Sequence, residues 1–138
     1  MSTAWGRTRR RYELAPTVLA EVARTGRPEI PADLAEEIGD VFGDIAAFLR
    51  GVRRRWYLIF DARLDQLLEN PPRNLDRAVA DLWHDLEREQ PAVRLLLDAH
   101  PAPTAVDAHH RAALLAATGV DQDDLCAGTR HDRTRSVS

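Results

Sequence analysis

The sequence predicts an all-α fold, a single-domain helical bundle of five to six helices with one long central helix. Apolar residues recur at three- and four-residue spacing along most of the chain, the period of a helix buried on one side. No segment alternates with the period of two that a half-buried strand requires, and no internal repeat or useful heptad run is present. With 138 residues, 44% hydrophobic and 30% charged, the chain has the size of one domain and the composition of a globular one.

Residues 1–11 read as a flexible basic arm, with Arg7, Arg9, Arg10 and Arg11 and no acid. The first helix is expected to begin between Tyr12 and Pro16 and to stop at Gly26. Val18, Leu19, Val22 and Ala23 form its apolar face, and Pro16 fits its first turn. Residues 27–30 connect to a short second helix, opened by Pro31 and closed at Ile38, with Leu34 and Ile38 one turn apart.

Gly39 is expected to separate it from the long third helix, which runs from the N-cap Asp40 to Glu69. At about 100° per residue, Val41, Ile45, Phe48, Leu49, Val52, Trp56, Ile59, Phe60 and Leu67 share a face, and Arg63 lies inside that stripe. Gly43 and Gly51 each weaken this helix by roughly 1 kcal/mol relative to Ala and mark either a close crossing or a kink. Asn70-Pro71-Pro72 ends it.

Asn74 caps a fourth helix that reaches Gln90, with Leu75, Val79, Leu82 and Leu86 in its stripe and Trp83 at the edge. The stripe continues past Pro91, as one kinked helix or as two. A break is favoured, giving a fifth helix from Pro91 to Ala99. After the turn His100-Pro101-Ala102-Pro103, Thr104 and Asp107 resemble a capping box. The sixth helix then runs to Thr118, with Gly119 as its C′ residue. Asp121 to Leu125 can add one more turn. The helical domain is thus 12–127, and residues 128–138 read as a disordered tail.

All 19 basic residues are arginine, the usage of a high-GC bacterial coding sequence, and the formal net charge is −3. Bulk charge therefore points to no polyanion partner. Charge is instead segregated, with basic residues concentrated before Tyr12 and between Arg50 and Arg63. The single cysteine, Cys126, cannot form an internal disulfide, and neither a signal peptide nor a membrane span is read. The expected location is cytoplasmic, with no membrane partner.

No catalytic constellation is read. Cys126 lies beside Asp123 and Asp124, which oppose thiolate formation. His100, Asp107, His109 and His110 lack the spacing of a metal site, and there is no glycine-rich phosphate loop. Catalytic residues, metal and cofactors are therefore expected to be none. Two binding constellations remain. Trp56, Phe60, Arg63 and Trp83 on the third and fourth helices can hold a protein partner or a small apolar ligand, with Arg63 as an anion contact. The same residues also have an ordinary reading, as core aromatics beside an arginine that stretches its stem to water or pairs with Asp81 or Asp85. Arg7, Arg9, Arg10 and Arg11, with Arg50, Arg53 and Arg54, can contact nucleic-acid phosphates. On a helix Arg53-Arg54-Arg55 fan out. Arg50, Arg54, Tyr57, Asp61 and Asp65 then share what reads as a solvated face.

The run from Phe48-Leu49-Arg50-Gly51-Val52 through Trp56 to Leu68, then Leu75 to Leu86, then Gln90-Pro91-Ala92-Val93-Arg94-Leu95-Leu96-Leu97, resembles the front half of the ligand-binding domain of TetR-type repressors. Upstream, Val18 to Gly26 and Ile30 to Gly39 resemble the first two helices of that family's DNA-binding head. The resemblance covers about Val18 to Leu97 and implies a regulatory helical protein. Residues 40–44 lead straight into the long helix and leave no room for a recognition helix. The two long C-terminal helices of the family's dimer interface are also missing. The function expected is a non-catalytic regulatory or protein-interaction module. The alternative is an accessory nucleic-acid-binding protein that uses its arginine-rich arm.

Overall fold

The computed structural model of the chain describes residues 4–100 and 105–127. The first three residues of the expected arm, the prolines of the 100–103 turn, Thr104 and the tail 128–138 lie outside them. Seven helices occur among the described residues, where five to six were expected. They are α1 (Ala4–Thr25), α2 (Ala32–Phe42), α3 (Ile45–Glu69), α4 (Leu75–Glu89), α5 (Pro91–Asp98), α6 (Ala105–Thr118) and α7, residues 122–127. No strand occurs among the described residues. None of their helices is long and apolar enough to cross a membrane.

The described residues fall into two compact units, 4–56 with 90–100 and 57–89 with 105–127. α3 contributes to both, Trp56 to the first and Tyr57 to the second. It is continuous through Gly51, and a Cβ there would meet nothing within 4 Å. A close crossing therefore does not explain that glycine.

In the first unit α1 packs against α2 and α5. Leu14, Val18 and Val22, spaced one turn apart, are wholly buried. Leu34 and Ile38 of α2 and Val93, Leu96 and Leu97 of α5 are buried as well. The expected boundary at Gly39 and Asp40 moves one turn on. Gly39 stays inside α2, and Phe42 extends the helix to meet Phe48 edge-on, with ring centres 5.4 Å apart. Gly43 then takes φ 94°, a conformation an L side chain rarely adopts, and closes the helix. Asp44, not Asp40, caps α3, its Oδ1 accepting from the Ala47 N–H at 2.7 Å.

α1 also begins much earlier than expected. The described part of the basic arm, residues 4–11, is helical, and Pro16 sits inside the helix rather than in its first turn. Arginine is a good helix former, and two of the four arginines are tied to α2, as described below. Pro16 lacks the N–H that would reach the Tyr12 carbonyl, but both residues lie on the exposed side, where water can bind that carbonyl.

In the second unit Asn74 caps α4, its Oδ1 accepting from the Arg77 N–H at 3.1 Å. Phe60 and Trp83 meet edge-on at 5.3 Å, and Leu64, Val79, Leu86, Leu114 and Leu125 are buried. Gly119, at φ 78°, ends α6 as expected, its N–H donating to the Leu115 carbonyl at 2.8 Å. The short α7 follows. The break at Pro91 is present, with Gln90 at φ −126° outside helical geometry.

Candidate functional site

The first half of α1 presents two different faces. Toward α2, Arg10 donates from Nε to Glu37 Oε2 at 2.5 Å, its Nη2 meets the same oxygen, and its Nη1 lies 3.6 Å from Glu13. The Arg11 guanidinium carbon lies 4.9 Å from the centre of the Phe42 ring, a cation–π contact. Arg7 and Arg10 line an open cleft of about 470 Å³ with Gly6, Glu37, Asp40 and Val41. On the opposite side Trp5 and Tyr12 stand 71% and 78% exposed, with the exposed Arg9 between them. At about 100° per residue, Trp5, Arg9, Tyr12 and Pro16 fall within roughly 60° of each other. Two aromatic rings and a guanidinium thus share one outward stripe on a helix held from behind by Arg10 and Arg11.

Three of the four residues nominated on α3 and α4 are buried. Trp56, Phe60 and Trp83 are 2%, 0% and 1% exposed, so they are core side chains. Trp56 belongs to the first unit, where the Arg94 guanidinium carbon lies 5.0 Å from the centre of its ring. Arg63 is half-exposed and donates from Nη2 to Glu89 Oε2 at 2.6 Å. Its hydrogen-bond partner is thus Glu89, and Asp85 adds a weaker attraction. That hydrogen bond, chiefly, holds the guanidinium pKa above its ordinary value. The buried line of α3 runs through Phe48, Leu49, Val52, Arg53, Trp56, Tyr57, Phe60 and Leu64. It therefore lies rotated from the expected stripe, leaving Ile59, Arg63 and Leu67 half-exposed at its margin.

The basic segment of α3 is divided by the same rotation. Arg50 and Arg54 are exposed, whereas Arg53 is buried and donates from Nη2 to the His100 carbonyl at 2.8 Å. Arg53 is thus withdrawn from any phosphate contact made by its neighbours. Tyr57, expected on a solvated face with Arg54, is 7% exposed, and Asp61 is half-buried.

Tyr57 and Asp61 belong instead to a polar cluster in the second unit. Gln122 of α7 donates from Nε2 to the Tyr57 hydroxyl at 3.0 Å, and that hydroxyl donates to Asp107 Oδ1. Gln122 Oε1 then faces His110 Nδ1 at 2.6 Å, and Asp61 Oδ1 faces His110 Nε2 at 2.7 Å. Both ring nitrogens are thus engaged within the cluster. The imidazole stacks on Tyr57 at 4.0 Å and meets Phe60 edge-on at 5.7 Å. Arg111 and Asp123 pair at 3.0 Å, joining α6 to α7 once more.

Sequence reasoning put Asp107 and His110 on one face and Tyr57 and Asp61 on another, but did not join them. The available signal was a histidine and a glutamine at positions the helical period turns inward. Among the described residues no three His, Cys, Asp or Glu side chains converge as a metal site. Cys126 is half-buried on α7.

Neither a protein-family model, nor a curated protein, nor a solved structure matches this chain.

Proposed function

We propose that the protein is a non-catalytic interaction module, a helical bundle of regulatory type acting in the bacterial cytoplasm, and that the outer face of α1 is its contact surface. One observation carries the reading. The large aromatic side chains that face water on α1, Trp5 and Tyr12, share a stripe with Arg9, while the other two tryptophans, Trp56 and Trp83, are buried. Exposed Trp, Tyr and Arg are the side chains that dominate binding hot spots. The apolar-ligand form of the reading at Phe60, Trp83 and Arg63 asks packed rings to part, so α1 is the better supported surface. The closed cluster around His110 supports a structural rather than a chemical role for the polar groups of the second unit.

A second reading is favoured by the arginines. Residues 4–12 hold four of them and no acid, so an anionic partner complements this segment, and a nucleic acid is the anionic partner that also offers rings to Trp5 and Tyr12. Anisotropy of a labelled DNA duplex titrated with the full chain, at low and moderate salt, tests the anionic partner. Salt-weakened binding whose log–log slope falls by about one when Arg9 becomes Ala is expected. Absence of binding even at low salt overturns this second reading and leaves an uncharged or protein partner for the α1 face.

A further inference from the structure

We infer that the α1 stripe is a stacking platform for single-stranded nucleic acid, an inference that rests on the nucleic-acid reading of this helix. Three features of the stripe point to a single strand rather than a duplex. Trp5 and Tyr12 offer exposed ring faces, and only unpaired bases can lay their own faces against them. The two residues are seven apart, about 10 Å along a helix axis, so two bases of one strand can be engaged at once. Arg9, one turn from Trp5, stands between them, where a backbone phosphate joining such bases would pass.

The platform is also held in place. Arg10 on Glu37 and Arg11 over Phe42 fix the opposite side of the helix to α2, so the stripe does not depend on the partner to become helical. A preorganised surface keeps more of its stacking energy as affinity than a disordered arm does. The geometry also divides the labour of the arginines. Arg9 is available on the stripe, and Arg7 is exposed at the cleft on the other side. Arg10 and Arg11 serve α2. A duplex held by charge alone would draw on the arginines without regard to the rings, whereas a stacked strand draws on Trp5, Arg9 and Tyr12 together. Membrane binding fits less well, because the stripe lacks the aliphatic side chains that bury in an acyl boundary.

The experiment uses the full chain with a mixed-sequence single-stranded oligonucleotide and the duplex of the same sequence. Tryptophan emission and probe anisotropy are followed together. Trp56 and Trp83 are buried, so emission quenched on binding reports Trp5. The expected result is at least tenfold tighter binding of the single strand, with quenching. Trp5→Ala and Tyr12→Ala should each weaken binding by roughly tenfold, and Trp5→Phe should restore most of the loss. Neither aromatic touches the core, and helical circular dichroism should be unchanged in all variants. Equal affinity for duplex and single strand, with both alanine variants binding normally, overturns the stacking platform and leaves a charge-only nucleic-acid surface. No binding of either nucleic acid at low salt overturns both the platform and the reading beneath it.

Discussion

In the first unit the buried cation Arg53 donates to a backbone carbonyl, His100 O. In the second unit the buried polar groups form a chain of side chains, from Asp61 through His110, Gln122 and Tyr57 to Asp107. The difference lies in what each arrangement specifies. A carbonyl acceptor constrains only the reach of the arginine. A side-chain network requires the correct tautomer, amide orientation and hydroxyl rotor at once, and it fixes where α7 docks against α3 and α6.

Apolar packing underlies both units, and its loss should have the largest effect in each. Leu96→Ala in the first unit should cost about 2–5 kcal/mol, and Trp83→Ala in the second about 3–5 kcal/mol. Urea unfolding followed by circular dichroism measures both. Losses under about 1 kcal/mol would mean that the surroundings collapse onto the cavity, contrary to a core packed at native density. If the units unfold independently, the two variants should shift different parts of the transition.

The polar cluster should respond next. Gln122→Leu leaves both His110 Nδ1 and the Tyr57 hydroxyl short of a partner and should cost about 1–3 kcal/mol. His110→Phe removes the other side of the network. In the double variant most of the second loss should vanish, because the two side chains act as a unit. Strict additivity would show that the network is a set of independent contacts and not a cooperative one. Arg53→Met in the first unit provides the contrast. It removes the charge with its carbonyl contact and keeps most of the stem, so the lost hydrogen bond to His100 should cost about 0.5–1.5 kcal/mol.

Two glycines should act through the backbone alone, with opposite signs. Gly43→Ala must place a Cβ at φ 94° and should destabilise by about 1 kcal/mol, although no neighbouring atom obstructs it. Gly51→Ala meets open space in a regular helix and should stabilise by about 0.5–1 kcal/mol. Opposite shifts in thermal midpoint are the expected readout. Two shifts of the same sign would mean that one glycine has a role its backbone does not reveal.

The sequence carried the helical class, the caps at Asn74 and Gly119 and the break at Pro91, because each rests on local chemistry. The boundary near Gly39 was misplaced because glycine tolerates a helix, and only the positive φ at Gly43 ends α2. The helicity of residues 4–11 was hidden because their anchors, Glu37 and Phe42, lie about thirty residues away. The His110 cluster was hidden for the same reason. Asp61, Asp107 and Gln122 are brought together by packing, and no sequence interval between them has a meaning of its own.

Arg63 gives the smallest expected effect and the clearest lesson. In the sequence it interrupted an apolar stripe, and a buried charge there would be costly to strand. In the structure Leu64, 5% exposed, takes the inward position, and Arg63 turns aside to Glu89. A shift of one residue in helical phase is about 100°, enough to convert a buried cation into a half-exposed ion pair. The pair is solvent-screened, so Arg63→Ala should change stability by no more than about 1 kcal/mol. Part of even that would be lost contact along the stem, which Arg63→Met should recover. A loss above about 3 kcal/mol for Arg63→Ala would instead place the guanidinium among the groups whose removal strands a buried partner. The phase of α3 described here would then be wrong, and with it the contrast between Arg63 at the margin of the second unit and Arg53 in the interior of the first.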